Sequence, residues 1–304
     1  MNKIKKYSLT FLILLFIILL FKYNYLLQTT VIDGVNLWLT KVFPNLFIMF
    51  IINDIIINLD LFKNSKIFNK LFNISGNSSI AFILSIISGT PSSAFIIKEM
   101  LENKQINKND ANKLISYTFF SNPLFLYNIL SLSFNKFITF KIIAIHYLSN
   151  IIIGFIYRNK YKNIEATFNK ISNHKQNIFL LIPKSIKKSL DTLLMILGTI
   201  IFYMILTNIL NKILPLNNII EVIFKGLLEI TQCLNILPTL NVSSIIKEII
   251  AISIISFGGL SIHTQVLSII NDTSIKYKNF LIGRIQHVLI STIAYLLFYF
   301  IIPS

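Results

Sequence analysis

Four short stretches interrupt otherwise apolar sequence with polar or helix-breaking residues. They are Ser88-Gly89-Thr90-Pro91-Ser92-Ser93, Ser121-Asn122-Pro123, Gly226-Leu227-Leu228-Glu229-Ile230-Thr231-Gln232, and the segment from Ser256 to Gln265 that holds Gly258, Gly259, Ser261 and His263. Proline removes a backbone donor and clashes with the preceding turn, and glycine tolerates unwound backbone. Each stretch is therefore expected to free N–H and C=O groups inside an apolar segment. An interrupted helix turns a new N-terminus toward the gap, with unpaired N–H groups and a positive partial charge. Anions bind such ends. The candidate ligand-binding set is Ser88, Gly89, Thr90, Pro91, Ser92, Ser121, Asn122, Pro123, Thr231, Gln232, Gly258, Gly259, His263 and Gln265, with Ser93 a further hydroxyl in the first stretch. For any one of them the competing reading is structural: Pro91 and Pro123 kink helices, and the serines bond back to carbonyls or pack small against small.

Glu229 is the candidate coupling or gating group. A charge near the centre of a membrane helix costs about 3 kcal/mol and is usually functional. The alternative is an ion pair with Lys225, four residues earlier on one helical face. His263 with Gln265 is suited to contacting a carboxylate or relaying a proton, or His263 is a hydrogen-bonded packing residue. Asp54 and His146 carry less signal, and Lys41 and Lys141 are placed near span ends, where long basic side chains snorkel. HExxH, GxSxG and P-loop motifs are missing, as is a cluster suited to a metal. A single cysteine, Cys233, excludes an internal disulfide. No enzyme activity and no cofactor are expected.

The elements that must position these residues are membrane helices. Of 304 residues, 54% are hydrophobic and 13% charged, against roughly 25% charged in soluble domains. Mean hydropathy is +0.71. Apolar runs predict spans near 7–27, 35–59, 113–134, 138–157, 189–210, 245–270 and 280–302. The N-terminal run follows a basic stretch without a small-residue cleavage site, so it reads as a retained span. Segments 78–101 and 218–240 consist of apolar pieces too short to cross a ~30 Å core, and read as re-entrant hairpins.

Net charge is +16, and between Arg158 and Lys188 eight basic residues stand against one acid, Glu165. That is the pattern of a cytoplasmic loop, and some of the charge suits anionic lipid. No interleaved aromatic pattern suggests nucleic acid. Placing the N-terminus inside and letting both short segments enter and return puts every strongly basic loop (60–77, 102–112, 158–188 and 271–279) on the cytoplasmic side. The expected architecture is an all-α polytopic membrane protein in one domain, with about seven spans and two re-entrant hairpins. It comprises a first span and loop (1–34), a first repeat (35–157), a basic loop (158–188) and a second repeat (189–302) of inverted topology, as in many secondary transporters.

These stretches together resemble the sporulation membrane protein YlbJ family. The resemblance rests on Lys41-Val42-Phe43-Pro44-Asn45-Leu46-Phe47, Ser88-Gly89-Thr90-Pro91-Ser92-Ser93-Ala94, Ser121-Asn122-Pro123-Leu124-Phe125, Gly226-Leu227-Leu228-Glu229, the run from Ser256 to Leu267, and Phe280-Leu281-Ile282-Gly283-Arg284-Ile285-Gln286-His287, in that order over almost the whole chain. It implies a Gate-type domain similar in layout to concentrative nucleoside transporters. It also implies a small anionic substrate, dipicolinate, moved from the mother cell across the outer forespore membrane, whose ring would rest on Phe119, Phe120, Phe125 or Phe257. A carrier for nucleosides or another small metabolite, and a spore-envelope assembly protein that transports nothing, are the alternatives. Expected partners are the substrate and membrane lipid, with self-association a further candidate.

Overall fold

The computed structural model describes residues 3–59, 65–74, 77–161, 177–214 and 216–301. Every regular element among them is helical. The chain opens with α1 (Lys3–Lys22), whose apolar side chains lie open to the surroundings, Phe11 and Phe21 among them. Next come α2 (Asn24–Leu37), a π-helical turn (Trp38–Val42) and α3 (Phe43–Asn58), which together form one 35-residue rod. The sequence suggested a loop around 28–34, but no loop is there. Its polar residues stay helical because they pack on α10 (Ile178–Ile213): Asn208 donates to Thr30 Oγ1 at 2.9 Å, and a Cβ on Gly34 would lie 2.9 Å from Ile201.

After α4 (Lys66–Phe72), the segment 78–101 folds as α5 (Ser78–Ser88) and α6 (Ser92–Glu102), 11 residues each. Its partner is α7 (Lys108–Tyr117), followed by α8 (Pro123–Leu130) after a non-helical break. Ser78 Oγ donates to Asp110 at 2.9 Å near one end of α7, and Thr90 N donates to Phe120 O at 2.8 Å just past its other end. The open end of the α5–α6 pair therefore lies at the start of α7, and its tip lies at the α7–α8 break. The span expected at 113–134 is this broken helix.

The chain continues through α9 (Lys136–Tyr157), α10, α11 (Asn218–Leu228), α12 (Ile230–Ile236), α13 (Ser244–Phe257), α14 (Gly259–Ile270) and α15 (Tyr277–Ile301). Five helical stretches are long and apolar enough to cross a membrane: Asn24–Asn58, Lys136–Tyr157, Ile178–Ile213, Ser244–Ile270 and Tyr277–Ile301. At 36 residues α10 is about 54 Å long, well beyond a ~30 Å core. Its first turns carry Lys184, Lys187 and Lys188, which the sequence had placed in the basic loop. Lys63 and the loop positions 162–176 lie outside the described residues.

The connections after α4, α6, α9 and α14 meet on one face. Lys113 Nζ reaches Asn73 O at 2.6 Å, Asn112 Nδ2 reaches Ser274 O at 3.3 Å, and Lys160 Nζ reaches Asn279 Oδ1 at 3.2 Å. Lys98 pairs with Asp272 at 2.7 Å, which holds that exposed carboxyl below its ordinary range. We call this the basic face. At the other end of α9, Lys141 does not snorkel: it is buried, 3.6 Å from the buried Glu248 of α13 and over the Tyr295 ring of α15.

Candidate functional site

In the first half of the chain a hairpin tip meets a helix break. Gly89 has φ +72°, and a Cβ there would lie 2.4 Å from Asn122 N. Only glycine takes that conformation readily and lets the two backbones touch. Asn122 caps α8 by accepting from Phe125 N at 3.0 Å, and its amide nitrogen approaches Ile87 O, at the end of α5, at 3.3 Å. The broken backbone is satisfied by neighbouring helices. His146 Nε2 accepts from Ser121 N at 3.1 Å, Tyr147 donates to Ser121 O at 2.8 Å, Asn150 donates to Phe119 O at 2.6 Å, and Arg284 donates to Ser116 O at 3.0 Å. Non-helical backbone at membrane depth requires such partners. His146, given little weight in the sequence, has a clear role here, and accepting at Nε2 requires that nitrogen to be unprotonated.

In the second half, too, a turn between two short helices meets a helix break. The helix α11 ends at Leu228, and Glu229 adopts an extended conformation, φ −145° and ψ 115°. Its carboxylate caps α12, accepting from Gln232 N at 3.1 Å and from the Thr231 hydroxyl. The ion pair with Lys225 is absent. The i, i+4 geometry needs a continuous helix, and this one stops first; Lys225 pairs instead with Glu221 at 2.6 Å. Gly226 is likewise helical and marks close packing, since a Cβ there would meet Cys233 at 2.8 Å and Ile254 at 2.9 Å. The break between α13 and α14 falls at Gly258 and Gly259, with φ +92° and +68°. A Cβ on Gly259 would lie 3.1 Å from Gly226 O and 3.3 Å from Leu228 O, so this break touches the α11–α12 turn. One on Gly258 would meet the Phe119 ring at 2.4 Å, which brings the two halves together.

A cavity of about 50 Å³ lies where these turns converge. Of the nominated residues, Thr90, Pro91, Ser121, Asn122, Glu229, Thr231 and Gln265 line it. Gln265 donates to Thr199 at 2.5 Å, while its buried Oε1 lacks a partner among the described residues. The Ser261 hydroxyl lies beside the Glu229 carboxylate without reaching hydrogen-bond geometry. Polar atoms left unmet in this way mark a place where a solute or water finds partners.

The other nominated residues stand outside the lining. Ser88 bonds back to Leu84 O at 2.7 Å, the structural alternative raised above. Gly89, Pro123, Gly258 and Gly259 shape backbone. Ser92 faces a second cavity, and Gln232 a third. His263 is fixed by Tyr277 Oη at 2.8 Å and Phe257 O at 3.1 Å, so it locks the end of α13. Among the aromatics Phe125 lines the cavity. Phe119 is buried under the Arg284 guanidinium, Phe120 packs on Phe82 and Tyr147, and Phe257 packs on His263. Val42, Leu46, Ile196, Ile200, Ile230, Ser261 and Ile262 complete the lining. Val42 and Leu46 lie in the Lys41–Phe47 stretch quoted for the resemblance without being among the nominated residues, and Ile196 and Ile200 lie on α10, where nothing in the apolar sequence singles them out.

Two searches found no match: no family model fits the chain, and no solved structure gives a significant match. Among curated proteins, the sporulation integral membrane protein YlbJ of Bacillus subtilis (strain 168) is 25% identical over 296 residues, covering 83% of this chain and 72% of the relative. The all-helical membrane architecture and this similarity together agree with the resemblance read from the motifs. The chain is thus similar to this sporulation integral membrane protein over most of its length.

Proposed function

We propose that the chain carries a small polar solute across a membrane during sporulation, with dipicolinate moved across the outer forespore membrane as the leading substrate. The observation that carries the reading is the convergence of four helix interruptions on one cavity whose largely apolar wall is set with Glu229, Asn122, Thr90, Thr231 and Gln265. Glu229 differs from the buried Glu248 and Asp54, which are paired with Lys141 and Lys188: it has no ion-pair partner among the described residues and faces a cavity, and an unpaired ionisable group within membrane helices is usually functional. Sporulation enters through the name of the Bacillus relative, and the dianion through the family resemblance. We place the basic face in the cytoplasm, by the positive-inside rule. The paired short helices then serve as re-entrant hairpins in an inverted repeat, the secondary-transporter layout.

The cavity has room for a few water molecules. A pyridine dicarboxylate therefore enters only as the two helix turns part. No basic side chain lines it, so a dianion would be held by amide and hydroxyl groups while facing the Glu229 carboxylate. Protonation of Glu229 on binding removes that repulsion, so this reading implies co-transport of a proton. Labelled dipicolinate uptake into proteoliposomes tests it: uptake should saturate, rise under an inward proton gradient, and lose that dependence in Glu229→Gln. Absence of uptake under both proton and sodium gradients refutes it for this substrate.

The same lining favours a second reading. Carboxylate, amide and hydroxyl groups without a basic side chain suit a neutral polar metabolite of nucleoside type. Competition by unlabelled nucleosides against unlabelled dicarboxylates separates the two.

A further inference from the structure

Three cavities lie in order along one seam. The α2–α3 rod and α10 run antiparallel: Thr30 meets Asn208, Gly34 meets Ile201, Trp38 Nε1 donates to Leu193 O at 3.1 Å, and Asp54 meets Ser185. A cavity of about 500 Å³, far from the basic face, is bordered by Lys41 and Asn208. The central one is bordered by Leu46 and Ile196. A third, of about 30 Å³, is bordered by Asp54 and Lys188. Residue numbers rise along one helix and fall along the other through the series, so the cavities follow a single line. The hairpins share this line between them, with α12 beside the first cavity and α6 beside the third. The π-helical turn ends at Val42, where the first cavity gives way to the second, and such turns recur at functional sites.

At the third cavity one ammonium ties three helices. Lys188 Nζ lies 2.5 Å from Asp54 Oδ1 on α3 and 2.8 Å from Glu99 Oε2 on α6, and Ser185 donates to Asp54 Oδ2 at 2.6 Å. The Lys188 side chain keeps 42% of its surface open while Asp54 keeps 8% and Glu99 24%, so the clasp stands where the protein interior meets its surroundings. Beside them Asn53 is 2% exposed, with neither amide atom hydrogen-bonded among the described residues. An unmet buried amide costs about 1–3 kcal/mol, a cost relieved when the cavity fills with water.

Resting on the transport reading, we propose that the seam between α3 and α10 is the solute's route, and that the clasp of Lys188 on Asp54 and Glu99 is the gate at its basic-face end.

Cysteine accessibility tests this without needing a transported solute. Cys233 is buried and is the chain's single cysteine, so Cys233→Ser provides the background. Asn36→Cys and Leu46→Cys are introduced separately and exposed to a membrane-impermeant maleimide on one face at a time. Both should label from the face opposite the basic loops, and Leu46→Cys should be inert from the basic face. Adding Lys188→Gln should speed Leu46→Cys labelling from the basic face at least tenfold, whereas Lys188→Arg, which keeps the clasp, should not. Glu99→Gln removes one arm of the clasp and should give a smaller increase in the same direction, which keeps the test open if Lys188→Gln fails to insert. Unchanged basic-face labelling in both neutral variants, or Asn36→Cys and Leu46→Cys inert from both faces, overturns the proposal. If labelling follows the expected pattern while dipicolinate uptake is absent, the route stands and the substrate assignment falls.

Discussion

Gly89 and Asn122 touch backbone to backbone: a methyl group on Gly89 would sit 2.4 Å from the Asn122 nitrogen and 2.9 Å from Phe120 O. The contact joins the α5–α6 tip to the α7–α8 break, and the atoms it would strike are main chain, which cannot rotate away. Gly89→Ala should therefore be costly twice over. The backbone conformation, φ +72° with ψ −175°, is essentially reserved for glycine and adds about 1–3 kcal/mol, and the overlap about 1–3 kcal/mol. A fall in detergent melting temperature with loss of membrane-inserted protein is expected. Gly198→Ala is the control, because nothing lies within 4 Å of a Cβ there; its effect should stay within about 1 kcal/mol.

Glu229 holds two roles that substitutions can separate. As the cap of α12 it is replaceable by aspartate, a good capping residue, whereas alanine should cost about 0.5–2 kcal/mol. As the carboxylate of the cavity it is not replaceable by glutamine, which keeps an acceptor oxygen but cannot ionise. Glu229→Gln should insert and melt close to wild type while proton-dependent uptake falls at least tenfold. Glu229→Ala should lose both uptake and stability. A Glu229→Gln variant with full, proton-dependent uptake would remove Glu229 from the coupling step.

Lys225 gives the complementary test. Because Lys225 pairs with Glu221 and the helix ends before Glu229, Lys225→Ala should leave uptake within about twofold of wild type. The half-buried i, i+4 pair it breaks is worth about 0.2–0.5 kcal/mol on a helix face. A loss as large as that of Glu229→Gln would mean that Lys225 acts on the cavity after all.

What the sequence made legible follows from where the information is stored. The breaks at Gly89–Pro91, Asn122–Pro123 and Gly258–Gly259 are announced by their own residues, since proline and glycine weaken a helix locally, although Gly34, Gly226 and Pro183 remain helical. Glu229 is conspicuous as a charge, but its partner is not, because the i, i+4 pairing with Lys225 assumes a helix that stops at Leu228. The segment from Gln28 to Gly34 looks like a loop by composition and is helical because α10 supplies Asn208 and Ile201 against it. Leu46 and Ile196 enter the cavity wall through tertiary packing alone. The clasp of Lys188 joins helices distant in sequence, so no local spacing announces it.

The pair of Lys141 and Glu248 sits far from the cavity and bears on stability. Both side chains are buried, with Lys141 Nζ 3.6 Å from Glu248 Oε2, and the carboxylate also accepts from the Tyr295 hydroxyl and from Ser244 Oγ at 2.7 Å. The ammonium lies 4.4 Å from the Tyr295 ring centroid, so three helices, α9, α13 and α15, share one charge cluster. Removing one partner leaves the other charge buried and alone, at about 3–5 kcal/mol, while removing both is far milder. Glu248→Gln should therefore lower the detergent melting temperature more than the double variant Lys141→Met with Glu248→Gln. Tyr295→Phe, which keeps the ring under the ammonium and removes only the hydroxyl donor, should cost about 1–3 kcal/mol, the scale of a hydrogen bond to a charged group. A double variant no more stable than Glu248→Gln alone would show that the two charges are not coupled and that each is held by its other neighbours.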